Sequence, residues 1–368
     1  MKLVLFVGNG ADLALNLRTG YKDFLITWLK NSSGEDLCEK FRCAIFDLKR
    51  NLLYGQINGD RLWSDLELAL GALPYDEFRC IDGKSGLIAN TVVSCVSLLQ
   101  SELGIYLLEQ QNKFSIPAKI QCDARRLFIH AVIYSALSGV VDVALPDTIQ
   151  LNIITLNYTD SIDKILGARN DGETITVNGK AISLNISPVI YVHGKLGTDN
   201  MAFGIDNMSQ LTGCRVDEVQ FEQCKQLQKR SWVNNTELQR AEFCIEEADL
   251  LMTYGISWGD TDLSWWRKIL GFLTKGKLLC VCPHVADFGL ILKYRLERKL
   301  EVLTRKRVVH AMLAGVCEDV CIHKIEDELS SNIRVPIIQD LKIDNRFVKA
   351  GDFLGLNSIS ELIKQNKT

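Results

Sequence analysis

The chain has few histidines, no long apolar run, no excess of charge of either sign and no internal repeat. Histidine occurs only five times in 368 residues, so a histidine at a strand end carries information that a common residue would not. No apolar stretch approaches the ~20 residues of a membrane-spanning helix, which excludes an integral helical membrane protein. The 42 basic and 45 acidic side chains leave a net charge of -3. That balance offers no bulk attraction to nucleic acid or to an anionic membrane surface, and neither is expected as a partner. The N-terminal apolar run is too short for a secretory leader and flows directly into Gly8-Asn9-Gly10, so cleaving it would destroy that motif. Cysteine is plentiful, at twelve residues, but it lacks the spacing of a disulfide framework. Cys43, Cys95, Cys244 and Cys280 lie within apolar stretches, as free buried thiols of a reducing compartment do. The expected location is the cytoplasm.

A hydrophobic content of 47% supplies ample core, and the length suggests two or three domains. Residues 2 to 7 read as a short, fully buried strand bounded by glycine. From Ala11 to about Val141 the periodicity is then helical almost throughout, as in Tyr21–Lys30, Glu35–Leu53, Leu62–Leu70, Thr91–Glu109 and Asp123–Ser138. Alternation resumes near Gln150, with strands expected at 150–156, 189–193, 249–254, 277–282 and 306–313. Helices are expected near 160–167, 234–247, 260–273 and 286–303. Thr174–Asn185 reads as a hairpin around Asn178-Gly179. A strand-like run at Val335–Ile338 and a helix near Ser358–Lys364 close the chain. The βα rhythm predicts an α/β fold: a Rossmann-like, mostly parallel sheet with a large helical insertion after the first strand. The core then comprises residues 1–30 and 148–315, the insertion 31–147 and a C-terminal extension 316–368.

Four polar or glycine-tipped segments follow predicted strands: Gly8-Asn9-Gly10, Leu156-Asn157-Tyr158, His193-Gly194 and Gly255-Ile256-Ser257. In a parallel sheet ligands bind beyond the carboxyl ends of the strands, so these pieces are expected to build one site. A Gly-x-Gly turn between an apolar strand and a helix lets backbone amides approach a phosphate or ribose. The dehydrogenase fingerprint is incomplete, because Leu13 stands at its third glycine. Asp12 falls in the first turn of the following helix, where it serves either as a cap or as a ribose contact, and its charge opposes a phosphate. Asn157 is either a turn residue or a polar contact. His193 is either a core histidine or a proton-exchanging group. Ser257 and the amides around Gly255 suit a ribose or phosphate, Asp260 is an N-cap or a contact, and Asp206 is an optional polar contact. Trp265 and Trp266 read as core. Cys280-x-Cys282-x-His284 and Cys317-x3-Cys321-x-His323 lack the knuckle spacing of a zinc site, so no metal is expected. Arg305-Lys306-Arg307 reads as a solvated face.

VGNGADLALNLRTGYKDFL resembles the N-terminal signature of AbiH-type phage abortive-infection proteins, and WSDLE, TLNYTDSIDKI, YVHGKL, FGIDN and YGISWGDTD resemble that family in order and spacing. The same order of motifs is similar to the wider sirtuin-like superfamily of NAD-consuming proteins. That resemblance implies an Asn157 that orients ribose or water and a His193 that acts as a base. It implies Gly8, Gly10, Gly255 and Ser257 as nucleotide-cradling positions, with NAD as substrate, and the residues themselves add Asn9, Asp12, Asp206 and Asp260 as expected nucleotide contacts. Asn9 and Asp12 depart from the typical alanine and serine, and no Cys-x-x-Cys zinc module lies between His193 and Gly255, which argues against protein deacetylation. The expected activity is hydrolysis of the N-glycosidic bond of NAD by an antiphage effector, answering a phage-derived trigger. The helical insertion is then a lid, a regulatory surface or a homo-oligomer contact. Two alternatives use the same residues: a nucleotide sensor without turnover, and a metal-dependent nuclease or phosphohydrolase working through Asp12, Asp206, Asp260 or Asp262.

Overall fold

A computed structural model describes residues 1–31, 66–67, 88–138, 145–168, 172–177, 179–197, 201–204, 235–259, 262–284, 297–313, 332–334, 341–343, 346–348, 352 and 354–366. Its centre is strand β1 (Lys2–Val7). Successive side chains of a strand point to opposite faces, and here both faces are apolar. Leu3, Leu5 and Val7 enter one core while Val4 and Phe6 enter another. A strand buried on both sides belongs in the middle of a covered parallel sheet. β1 pairs in parallel with β2 (Thr148–Thr155) on one side and β6 (Leu250–Tyr254) on the other. Beyond β6 lie β7 (Leu278–Cys282) and β8 (Ile333–Arg334), both parallel. Beyond β2 lies β4 (Lys180–Ile186), to which β3 (Glu173–Val177) adds an antiparallel hairpin edge, as the Asn178-Gly179 signal predicts.

The expected strand at 189–193 is reduced to β5 (Ile190–Tyr191), which pairs with the end of β2. The chain reaches it through Ser187-Pro188-Val189, where proline has no amide to donate to a ladder. Ser187 bridges the gap instead, donating to Asn152 Oδ1 at 2.7 Å and accepting from Gln150 Nε2 at 2.9 Å.

Helices cover both faces. On the Leu3 side lie α1 (Gly10–Ala14), α4 (Gln121–Ser138), α5 (Ser161–Leu166) and α9 (Leu356–Gln365). On the Phe6 side lie α6 (Asn235–Glu247), α7 (Leu263–Leu273) and α8 (Glu297–Leu313). Trp265 and Trp266 of α7 pack on Phe6 and are core, as expected. The expected strand at 306–313 is instead the last half of α8, because Val308, Val309 and Met312 form one buried helical face behind the charged run. α2 (Tyr21–Asn31) and α3 (Ile88–Lys113) lie between β1 and β2 in the chain and pack together through Phe24 and Tyr106, 5.7 Å between ring centroids. Another short antiparallel pair, β9 (Leu341–Ile343) and β10 (Arg346–Val348), precedes α9. Among the described residues no helix is long and apolar enough to cross a membrane. The expected elements at 35–53, most of 62–70, the start of 286–303 and 335–338 lie outside the described residues.

Candidate functional site

Strand register decides where the loops gather. Val7 pairs with Thr155 and Tyr254, Thr155 with Tyr191, and Tyr254 with Cys282. Five strands therefore end at one level, and Gly8, Leu156, Val192, Gly255 and Pro283 leave the sheet together. The chain passes from β1 to β2 on one side and later returns to β6 on the other, so β1 lies at the point where strand order reverses. That is where α/β sheets bind ligands. A cleft of about 290 Å³ opens there, near the lower end of the range for small-molecule sites. Gly8, Asn9, Gly10, Asp12, Asn157, His193, Gly255 and Ser257 all line it. Asp206 and Asp260 lie outside the described residues.

The glycines act differently from the phosphate cradle that their spacing suggests. The Gly8 amide donates to Tyr254 O at 2.9 Å and the Gly10 amide to Gly255 O at 3.0 Å, so neither is available to a ligand. A Cβ on Gly10 would lie 2.5 Å from Gly255 Cα. The three glycines let the loops after β1 and β6 press together, and Gly255 also needs its φ of +62°. Ligand contact at this turn cannot come from the Gly8 and Gly10 amides and falls to Asn9 and Asp12, which also line the cleft. The loop after β6 is held by Trp258, which adopts φ +56° and packs on Trp266 with centroids 4.6 Å apart. A left-handed tryptophan is strained, and its burial against a core ring is what sustains it.

Asp12 is buried and caps no helix. Its Oδ2 accepts from Thr159 Oγ1 at 2.7 Å and its Oδ1 from Ser161 Oγ at 2.6 Å, tying α1 to the start of α5. Burial pushes its carboxyl up from 3.8 to about 6, against the pull of those hydroxyls and of the nearby Asn157 amide. Although it lies near enough to act on Asp12, Asn157 Nδ2 is buried and makes no hydrogen bond of ordinary geometry, as is true of Asn9 Nδ2. Buried donors without acceptors are uncommon, and two facing one cleft mark places where a bound molecule supplies the acceptor.

His193 follows β5, where a turn from Tyr191 to Gly194 aims its ring into the cleft. Nδ1 lies 3.1 Å from Leu156 O, which can only accept, so Nδ1 carries a proton. Nε2 lies 3.0 Å from Asp262 Oδ1. Asp262 stands at the N-cap of α7 yet makes no cap hydrogen bond, and its Oδ1 faces the histidine. The sequence offers Asp262 only as one of the carboxylates of the metal-dependent alternative, not as a partner of His193.

Several cleft residues escape a reading based on strand ends. Tyr21 of α2, Glu67 and Leu107 of α3 form one wall, and Arg307 of α8 reaches the mouth. His284 does follow a strand, β7, and lies 3.5 Å from Tyr254 Oη, with burial holding its ring below the ordinary value. Strand-end logic could have found it, but its Cys-x-Cys-x-His setting drew attention to metal binding. Cys280 and Cys282 point into the core on the Leu3 side. Among the described residues no group of three or more His, Cys, Asp or Glu side chains is placed to hold a metal ion, and residues 317–323 lie outside them.

The family model described as bacteriophage abortive infection AbiH matches residues 4–279, and the chain belongs to that family. Its family thus associates it with abortive infection of phage. No curated protein and no solved structure matches the chain.

Proposed function

We propose that the cleft binds NAD and hydrolyses its N-glycosidic bond, and that the protein serves phage abortive infection by depleting this nucleotide in the host cytoplasm once a phage-derived trigger is present. The observation that carries the reading is the His193–Asp262 pair, with Asn157 and its unpartnered amide, lining one cleft at the reversal of strand order. The parallel sheet with this reversal supports a Rossmann-like, nucleotide-binding reading of the core, and the order of its motifs supports a sirtuin-like relationship.

In the proposed reaction the bond between ribose C1′ and the nicotinamide nitrogen breaks, and its electron pair leaves on the nitrogen. Positive charge passes to C1′ and the ring oxygen, as in glycoside cleavage generally. Water oxygen then bonds to C1′, and the proton it sheds passes to the His193–Asp262 pair and on to solvent. The products are nicotinamide, ADP-ribose and one proton. Leu156 O fixes the ring orientation, so proton exchange with water or a ribose hydroxyl runs through Nε2 or the Asp262 carboxylate. Asn157 Nδ2 supplies a donor to a ribose oxygen or to the attacking water.

The test is release of free nicotinamide from NAD by the purified protein, with and without EDTA. His193→Ala and Asn157→Ala are expected to lower turnover by about 10²-fold or more, with binding reduced less than turnover. Equal rates for the parent and both variants would remove the assignment. Binding without turnover under every activating condition would make the protein a sensor, and cleavage lost with EDTA and restored by magnesium would move the chemistry to the carboxylates.

A further inference from the structure

Glu67 is a carboxylate with 2% exposure that lines the cleft beyond the strand ends. Tyr21 Oη donates to its Oε1 at 3.1 Å. The Tyr21 ring is itself pinned edge-on against Phe203, 5.9 Å between centroids. The chain reaches Phe203 through Ala202, whose amide donates to His193 O at 2.7 Å. Glu67 is thus joined through Tyr21 to the wall that carries His193. Burial, then the charge of Glu67, and less strongly that of Asp262, hold the Tyr21 phenol well above its ordinary value. It stays a neutral donor, and both carboxylates act on the same hydroxyl. Glu67 and Asp262 line the same cleft.

The charge pattern of that space is asymmetric. Its interior holds the carboxylates of Asp12 and Glu67 and the His193–Asp262 pair, whereas Arg307 lines it as an exposed side chain. A phosphate is repelled by the interior and attracted to the rim. A cation is attracted to the interior. An independent sign of a ligand is Asn157, 5% exposed, whose Nδ2 lacks an acceptor. The occupant therefore combines a positive centre with a hydrogen-bond acceptor.

We infer that Glu67 is the charge-selecting residue of the cleft, which takes the cationic N-ribosylpyridinium end of its nucleotide inward, phosphates outward toward Arg307, and discriminates against the neutral dihydropyridine form. This rests on the reading of the cleft as an NAD site. NAD+ and NADH are nearly the same size but differ by the ring charge, which makes them the probes.

Their dissociation constants are measured by calorimetry in the His193→Ala background, with Glu67 native, Glu67→Gln or Glu67→Asp. NAD+ is expected to bind on the order of tenfold more tightly than NADH when Glu67 is native. Glu67→Gln should bring the ratio near one by weakening NAD+ alone, and Glu67→Asp should restore part of it. Equal affinity for the two nucleotides with Glu67 native overturns the inference while leaving the NAD site standing. Equal weakening of both by Glu67→Gln also overturns it, by making the residue merely structural. If neither nucleotide binds the parent protein, the reading of the cleft itself fails. Should the variants not fold, competition by NADH against NAD+ cleavage in the unsubstituted protein decides the ratio.

Discussion

Replacing Asp12 by asparagine should stabilise the protein above neutral pH. The carboxyl is raised from 3.8 to about 6 in the native state. At a pH above both values, the protein holds an ionised group in a place that favours the neutral form, at a cost of about 3 kcal/mol. The sign follows from proton binding. The native state keeps its proton where the unfolded chain loses it, so the favourable contribution is complete below pH 3.8 and disappears as pH rises through about 6. Asparagine has the same shape and no charge. Its oxygen accepts from one of the two hydroxyls that now point at Asp12, Thr159 and Ser161, and its Nδ2 donates to the other. The expected gain at pH 8 is about 2–3 kcal/mol, or roughly 3–4 °C in melting temperature for a chain of 368 residues. It should shrink to nothing near pH 3.8. Thermal melts of parent and variant across this range, taken as a difference curve, isolate Asp12 from the other carboxylates. A variant less stable than the parent at pH 8, or a difference that does not change between pH 4 and 7, would refute the reasoning. Nucleotide binding should fall while stability rises, because Asp12 lines the cleft.

Gly10→Ala should cost about 2–4 kcal/mol and abolish nucleotide binding, since its Cβ would meet Gly255 Cα at 2.5 Å and His284 Cβ at 2.7 Å. Gly104→Ala in α3 is the matched control: its Cβ meets Met201 Cε at 3.6 Å and Sδ at 3.9 Å, both ordinary contacts, and urea unfolding should show a gain of about 0.5–1 kcal/mol from helix propensity. Arg125→Ala should lose about 3 kcal/mol in the same assay, because this buried guanidinium donates to Leu166 O at 2.6 Å, Ala168 O at 3.0 Å and Glu173 at 3.0 Å, and its loss leaves those acceptors unpaired.

The parts of the fold that could be read in advance are those whose sequence period answers to one environment. β1, β6 and β7 are short apolar runs buried on both faces and ended by Gly8, Gly255 and Pro283, and no helix of that length could hide so much surface. The end of α8 failed the same test. Val308 and Val309 are β-branched neighbours, yet with Met312 they form a helical stripe that continues a charged helix, and packing against α7 overrides local preference. The site divides along a similar line. Asn157, His193 and Gly255 could be grouped because parallel register carries every strand end to one edge, whatever the loops between them do. Tyr21, Glu67 and Arg307 reach the cleft from helices, where periodicity reveals which face is buried but not what faces it. Gly8 and Gly10 show a further limit. A Gly-x-Gly turn signals close approach of something to backbone, and only the tertiary contact decides that here it is the loop at Gly255 rather than a phosphate. Because the Gly8 and Gly10 amides are closed to ligand, affinity at this end must come from the other groups of the cleft, so substitutions at Asn9 should change nucleotide preference, whereas glycine substitutions should fail as folding defects.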